Sequence, residues 1–169
     1  LTSVPNFNTS NVSNMSNMFS NCTNLTEVPN INTSKVNRMD YMFSNCTNLT
    51  SVSDFDITNL SGDSYGLYYT FANCENLVVA PNIDTHNVKI MSNTFQYCYS
   101  LESLPNYNTI NVNSMYHMCY SCDSLQNVPE FNTSNVINLQ VAFAFCNSLL
   151  FGNVNLLISF SKMPLSYKT

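Results

Sequence analysis

The sequence predicts an α/β solenoid, a right-handed stack of about seven 24-residue coils, each a short parallel strand plus a short helix. Three observations carry this reading. Leucine-led units start at Leu1, Leu25, Leu49, Leu77, Leu101, Leu125 and, in degenerate form, Leu149. Apolar residues recur in the same columns of each unit. Uncharged polar residues fill most of the remaining positions. A fixed period of this size is the mark of stacked supersecondary units, none of which can bury its own apolar face alone.

The full units span 1–24, 25–48, 49–76, 77–100, 101–124 and 125–148. The third carries four extra residues. The first reads LTSVPNFNTSNVSNMSNMFSNCTN and the second LTEVPNINTSKVNRMDYMFSNCTN. Counting from the leading leucine, position 4 is Val, Ala or Leu, position 7 is Phe, Ile or Tyr, and position 12 is Val or Leu. Position 15 is Met or Leu, with the third unit disrupted. Position 19 is Phe19, Phe43, Phe71, Phe95, Cys119 and Phe143, and position 22 is Cys22, Cys46, Cys74, Cys98, Cys122 and Cys146.

Each segment of the unit has its own expectation. Positions 1–7 read as extended. Proline at position 5 in five units cannot donate a ladder hydrogen bond, so the parallel strand there is very short. Positions 12, 15, 19 and 22 are three or four apart, which predicts one face of a short helix. Ser or Thr at position 9 or 10 stands ready to cap it. Beyond Ser148 the pattern fails, and 149–169 reads as a degenerate seventh repeat or C-terminal cap. It serves equally as a docking strand for another subunit. The chain begins on a repeat boundary without Met, which suggests a piece of a longer protein.

The repeat resembles the BspA-like leucine-rich repeats of bacterial surface proteins, a group with relatives expected among phage tail and fibre proteins. Phe19, Cys22 and Leu25 match one half of that pattern, and Asn8, Thr9, Ser10, Val12 and Met15 the other. The match recurs six times over residues 1 to about 148. The extended segment departs from it, with Val-Pro-Asn-Phe where many members have Leu-Asp-Leu-Ser. The resemblance implies a non-catalytic adhesion or receptor-binding module on a cell or virion surface, its partners host or cell-surface glycans or proteins. A structural module in a surface fibre or virion, contacting other copies or subunits, is the alternative. It implies no catalytic residue and no cofactor.

Composition agrees. Charged residues are 9% of the chain, against roughly 25% in an ordinary soluble domain. Asn, Ser and Thr take their place, which fits a secreted or displayed surface. The net charge is −5, and the five basic residues form no cluster. Nucleic acid, whose phosphates need neutralising, is therefore a poor partner. No apolar run approaches the roughly 20 residues that span a bilayer, so no membrane insertion is expected.

Several residues invite chemistry. The six cysteines of position 22 share one direction and read as a buried, reduced core ladder, because a free cysteine packs as a small hydrophobe. Cys119 and Cys122 with His117 make half a zinc site, but the second ligand pair is missing. Asp54, Asp56, Asn59 and Asp63 fail the calcium-loop pattern and read as a solvated acidic turn. Asn6, Asn30, Asp54, Asn82, Asn106 and Glu130 form a column suited to hydrogen bonding along the axis. His86 and His117 stand alone, and no catalytic constellation appears, so no enzyme and no metal are expected. The numerous Asn-x-Ser/Thr matches follow from composition. The variable positions 2 and 3 of the strand face offer a weak candidate surface. The candidate ligand surface is aromatic: Tyr65, Tyr68 and Tyr69 by the insertion, Tyr97 and Tyr99 in the fourth unit, Tyr116 and Tyr120 in the fifth. Tyrosines give rigid, amphipathic contact area. The competing reading is that they merely cover apolar gaps.

Overall fold

A computed structural model describes residues 8–28, 31–60 and 65–150. Leu1, Val4, Asn6, Phe7, Asn30, Asp63 and nearly all of the expected cap at 149–169 lie outside these residues. The chain is a solenoid. Backbone hydrogen bonds join the same or adjacent positions of successive units.

One ladder follows the leading leucine. Strand β1 (Glu27–Val28) pairs in parallel with β2 (Ser51–Val52), Glu27 against Ser51 and Val28 against Val52. Later coils continue the line as the single bridges Val79–Ser103 and Ser103–Asn127. At position 2 the N–H of each coil donates to the preceding coil, from Thr50 to Thr26 through Leu150 to Gln126. β1 ends directly before Pro29, which can donate no ladder hydrogen bond, and β2 is equally short with Ser53 at the same position.

The Asn-Thr-Ser segment is a turn, not the entry to a helix. The side chain at position 8 accepts the N–H at position 10 in every coil: Asn8, Asn32, Asp56, Asp84, Asn108 and Asn132. The N–H at position 12 then donates to the carbonyl at position 9. Asn and Asp favour such turns because their side chains mimic a backbone carbonyl two residues on.

Positions 15–22 correct the expectation of a helix: no helix occurs among the described residues. The segment is a run of overlapping turns. The N–H groups of positions 18, 20 and 22 donate three residues back within the coil, as in Met18 to Met15, Ser20 to Asn17 and Cys22 to Phe19. Those of positions 15, 17, 19 and 21 donate instead to the next coil, as in Met15 to Arg38, Asn17 to Asp40, Phe19 to Met42 and Asn21 to Ser44. Beyond its first turn a helix spends every N–H inside its own segment. Here alternate ones tie coil to coil. The geometry requires left-handed backbone at positions 17 and 21 of all six coils, with φ from 48° to 62°. The helical spacing of the apolar residues arises because the turns also carry inward side chains three and four residues apart.

The third unit fits this pattern once its four extra residues are placed at 61–64. Leu67 then takes the position-15 site, fully buried, and Gly66 takes position 14. Gly66 has φ 47°, and a Cβ there would lie 2.5 Å from the Ile90 carbonyl oxygen. Only glycine returns the chain to register at that point.

The core is a set of side-chain columns. Leu25, Leu49, Leu77, Leu101 and Leu125 are fully buried. Phe19, Phe43, Phe71 and Phe95 stack with centroids 5.4 Å apart and planes within 11°. Where Cys119 breaks that column, Tyr107 of the same coil lies parallel to Phe95 at 6.4 Å. Its hydroxyl donates to the Pro81 carbonyl at 2.8 Å. Burial, more than any neighbouring charge, holds the Tyr107 phenol far above its ordinary pKa.

Candidate functional site

All seven cysteines are free thiols. Cys46, Cys74, Cys98 and Cys122 each donate Sγ–H to the position-19 carbonyl of the preceding coil, at 3.0–3.2 Å. Cys146 does the same toward Cys119 at 3.1 Å. Cys22 and Cys146 are only partly buried. Desolvation raises the Cys46 and Cys146 thiols to about 12 and pushes Cys74, Cys98 and Cys119 well above the ordinary range. Thiols in this state are poor nucleophiles. Cys119 and Cys122 lie inside the core, while the His117 ring sits between Tyr116 and Tyr120 at 4.0 and 4.7 Å. Among the described residues no three His, Cys, Asp or Glu side chains come together. Asp54 accepts the Asn82 N–H at 2.9 Å and Asp56 holds Thr58, so both carboxylates serve turns. His86 faces Asp84 at 2.9 Å, on the Asx-turn column.

The tyrosines occupy the outward side of the turn chain. Tyr41 stacks on Tyr69 at 5.0 Å, and Tyr68 meets both edge-on, at 5.5 and 4.6 Å. Tyr65 joins Tyr68 at 6.0 Å and carries the Arg38 guanidinium 4.6 Å above its ring. Arg38 is held by Asp40 at 2.6 and 3.2 Å, and Asp40 also accepts the Ser16 hydroxyl at 2.7 Å. Burial disfavours the Asp40 carboxylate, but the Arg38 and Ser16 hydrogen bonds outweigh it and hold its pKa below the usual value.

A second group lies two coils on. Tyr97 meets Tyr120 edge-on at 5.6 Å and Tyr99 at 6.1 Å, and Tyr120 meets Phe145 at 5.2 Å. Gln96 is buried beneath and lies 3.2 Å from His117 Nδ1. Tyr69 links the two groups. Burial first, and then the phenols of Tyr68, Tyr116 and Tyr97, hold its pKa above the ordinary value. The seven sequence-selected tyrosines thus form two clusters of one band. Tyr65 and Tyr99 are exposed and the rest half-buried. Tyr41, Phe145 and Arg38 belong to the band and were not singled out from the sequence, and His117, read there only beside Cys119 and Cys122, belongs to it as well. For Tyr41, His117 and Phe145 the signal is the left-handed backbone, whereas Arg38 enters through its contact with the Tyr65 ring. Asn17, Asn21, Asn45, Asn73 and Asn93 hold φ near 60° at positions 17 and 21, where Tyr41, Tyr69, Tyr97, His117 and Phe145 stand in other coils.

The sequence profile described as "Mycoplasma protein of unknown function, DUF285" matches residues 2–70 and 63–150. The chain belongs to this family. Two solved structures share the fold of this DUF285 chain. One is a leucine rich cell surface protein from Faecalibacterium prausnitzii A2-165, with TM-score 0.54, 19% identity, and 88% of this chain covered. The chain spans 45% of that protein's length. The other is the T. pallidum leucine rich repeat protein, with TM-score 0.52, 18% identity, and coverage of 96% of this chain and 84% of that one. The BspA-like leucine-rich-repeat resemblance of the DUF285 chain is therefore borne out. A comparison with the curated proteins finds no match.

Proposed function

We propose that the chain is a non-catalytic binding module displayed on a cell surface, with the tyrosine band as its contact face for a glycan or protein. The observation that carries this is the placement of aromatic residues on left-handed turns. Tyr41, Tyr69, Tyr97 and His117 have φ of 54–61°. A non-glycine residue there is uncommon, and Asn tolerates it better than an aromatic does. Asn17, Asn21, Asn45, Asn73 and Asn93 fill the same two positions elsewhere, so the fold itself does not ask for an aromatic residue there. Strain kept at particular sites points to a role beyond folding. The surface description of the F. prausnitzii neighbour supports the location, and the scarcity of charged residues fits a displayed surface.

The test is binding of the purified chain to intact cells and to arrayed glycans and proteins, beside a Tyr69→Asn/Tyr97→Asn variant. These changes install the residue that other coils already use. The parent is expected to bind and the variant to lose at least tenfold in affinity with its melting temperature kept. Equal binding by the two would remove the band from the function. Absence of any binding would leave the chain as a structural piece of a surface assembly.

A further inference from the structure

The aromatic band has a property that contact with a ligand does not require. Its rings meet in pairs across coils, and both members of these pairs are phenols. Tyr41 of the second coil stacks on Tyr69 of the third at 5.0 Å and meets its neighbour Tyr68 edge-on at 5.5 Å. Tyr97 of the fourth coil meets Tyr120 of the fifth edge-on at 5.6 Å. Backbone bonds hold the coils together at the same points. The Tyr41 N–H donates to the Tyr68 carbonyl at 3.0 Å, and the Tyr97 N–H to the Tyr120 carbonyl at 2.8 Å. Ring packing alone asks for no hydroxyl, since the column of Phe19, Phe43, Phe71 and Phe95 stacks coil on coil at 5.4 Å without one.

The easily oxidised side chains are sorted by depth. Met15, Met39, Met42, Met91, Met115 and Met118 are at most 1% exposed, and five of the seven cysteines are buried. The chain has no Trp. Tyr41, Tyr68, Tyr69, Tyr97 and Tyr120 are only half-buried, so each is open to solvent in part. Burial protects the thiols, because cysteine oxidation follows thiolate character and exposure. A small oxidant arriving from solvent therefore meets these phenols before most of the sulfur.

We infer that these cross-coil pairs are sites of oxidative coupling to dityrosine, one from Tyr41 to Tyr69 or its neighbour Tyr68, the other from Tyr97 to Tyr120. The oxidant is hydrogen peroxide acting through a one-electron oxidant of the haem-peroxidase class. Each phenol of a pair gives up one electron and its hydroxyl proton, which leaves two phenoxyl radicals. The radicals join by a carbon–carbon bond between ring carbons beside the oxygens. Each joined carbon then passes its hydrogen, as a proton, to the adjacent oxygen and so restores the phenol. The peroxide takes up the two electrons and two protons and leaves as two waters, and the pair is lighter by two hydrogens. Partners already in contact couple faster than partners that must first meet, so links form within the chain rather than between chains. One link ties the second coil to the third, the other the fourth to the fifth. A solenoid is held by its neighbour interfaces, and a covalent loop closure constrains the unfolded chain, so each link secures one interface. The coupling does not depend on the proposed binding role, because it needs only the rings and an oxidant.

The experiment exposes the whole chain, in dilute solution, to a haem peroxidase and two equivalents of hydrogen peroxide. Dityrosine fluorescence, intact mass and peptide mapping are read on the monomer after denaturing electrophoresis. The expected product is a monomer lighter by two hydrogens per link, with the links mapped to the two cross-coil pairs and a raised melting temperature. Tyr41 is the sole tyrosine of the first two coils, so Tyr41→Phe removes the first link and leaves the second. Tyr97→Phe does the reverse, and Tyr99→Phe leaves both. Phenylalanine keeps the ring packing, and unchanged circular dichroism before oxidation shows that the fold is kept. Covalent oligomers without links inside the chain would overturn the inference. So would fluorescence that survives combined Tyr41→Phe and Tyr97→Phe changes, or links that fall on the exposed Tyr65 and Tyr99 instead. Consumption of the peroxide by methionine and cysteine with no dityrosine formed would overturn it equally.

Discussion

At the scale of single residues, the left-handed positions decide more than the buried ones. Val141 stands at position 17 with φ 48°, where a β-branched side chain is a true outlier. Val141→Asn is expected to raise stability by about 1 kcal/mol, the scale of the left-handed penalty, read as an increased midpoint in urea. A lower midpoint would mean that the valine contacts outweigh its backbone strain. The Asn17 and Asn21 sites show why this rule was hidden in the sequence. Their columns mix Asn with Tyr, His, Ser, Val and Phe, and no composition rule links those types until their shared φ is known. His117 adds a pH dependence. Burial holds its imidazole below the ordinary pKa, so the folded chain takes up this proton at lower pH than the unfolded chain does. Its stabilisation is complete above the ordinary imidazole range and is lost as pH falls through the folded value. The Gln96 amide N–H that can donate to neutral Nδ1 loses its acceptor on protonation. Binding through the band is expected to weaken from pH 7.5 to pH 5, and His117→Gln to flatten that profile. A profile unaltered by His117→Gln would place the titration elsewhere.

At the scale of the element, the sequence displayed the columns and concealed the backbone that carries them. The core ladders of Leu25, Phe43, Met39 and Cys46 were legible because inward residues repeat at the unit's period. The helix over positions 12–22 was a reasonable reading of a three-and-four spacing, and it was wrong for a nameable reason. Overlapping turns project side chains inward at the same intervals, but half of their N–H groups bond to the next coil. Asn at positions 17 and 21 was the available clue, since Asn is enriched in left-handed conformation and disfavoured inside helices. Gly66 was likewise visible as a residue and not as a requirement. Gly66→Ala is expected to cost well over 1 kcal/mol, because the added Cβ meets the Ile90 carbonyl at 2.5 Å and the backbone is left-handed. Thermal denaturation checks this, and a cost within a few tenths of a kcal/mol would mean that the coil relaxes freely around the insertion. The site was legible in part. The seven tyrosines depart visibly from the repeat, whereas Tyr41 packs on Tyr68 and Tyr69 and His117 meets Gln96, each one coil away, so their place needs the register of the stack.

At the scale of the whole molecule, stability is a chain of nearest-neighbour interfaces, so the same substitution should cost differently along the axis. The phenylalanine column makes the comparison clean. Phe71 stacks on both Phe43 and Phe95 at 5.4 Å, and it is fully buried. Phe19 stacks on Phe43 and is 3% exposed. Phe71→Ala removes contacts from two interfaces in the middle of the ladder and is expected to cost about 3–5 kcal/mol. Phe19→Ala removes one ring-on-ring contact and should cost less. The position-17 and position-19 amides give an independent readout, because each belongs to a bond between coils. After Phe71→Ala, hydrogen exchange is expected to accelerate most at Phe43, Tyr69 and Phe71, whose N–H groups donate to Thr70, Ser92 and Thr94. The Phe19 and Cys119 amides, which donate to Met42 and Ala142, should change less. If exchange instead rises equally along the whole chain, the coils unfold as one cooperative unit, and the nearest-neighbour description fails for a solenoid of this length.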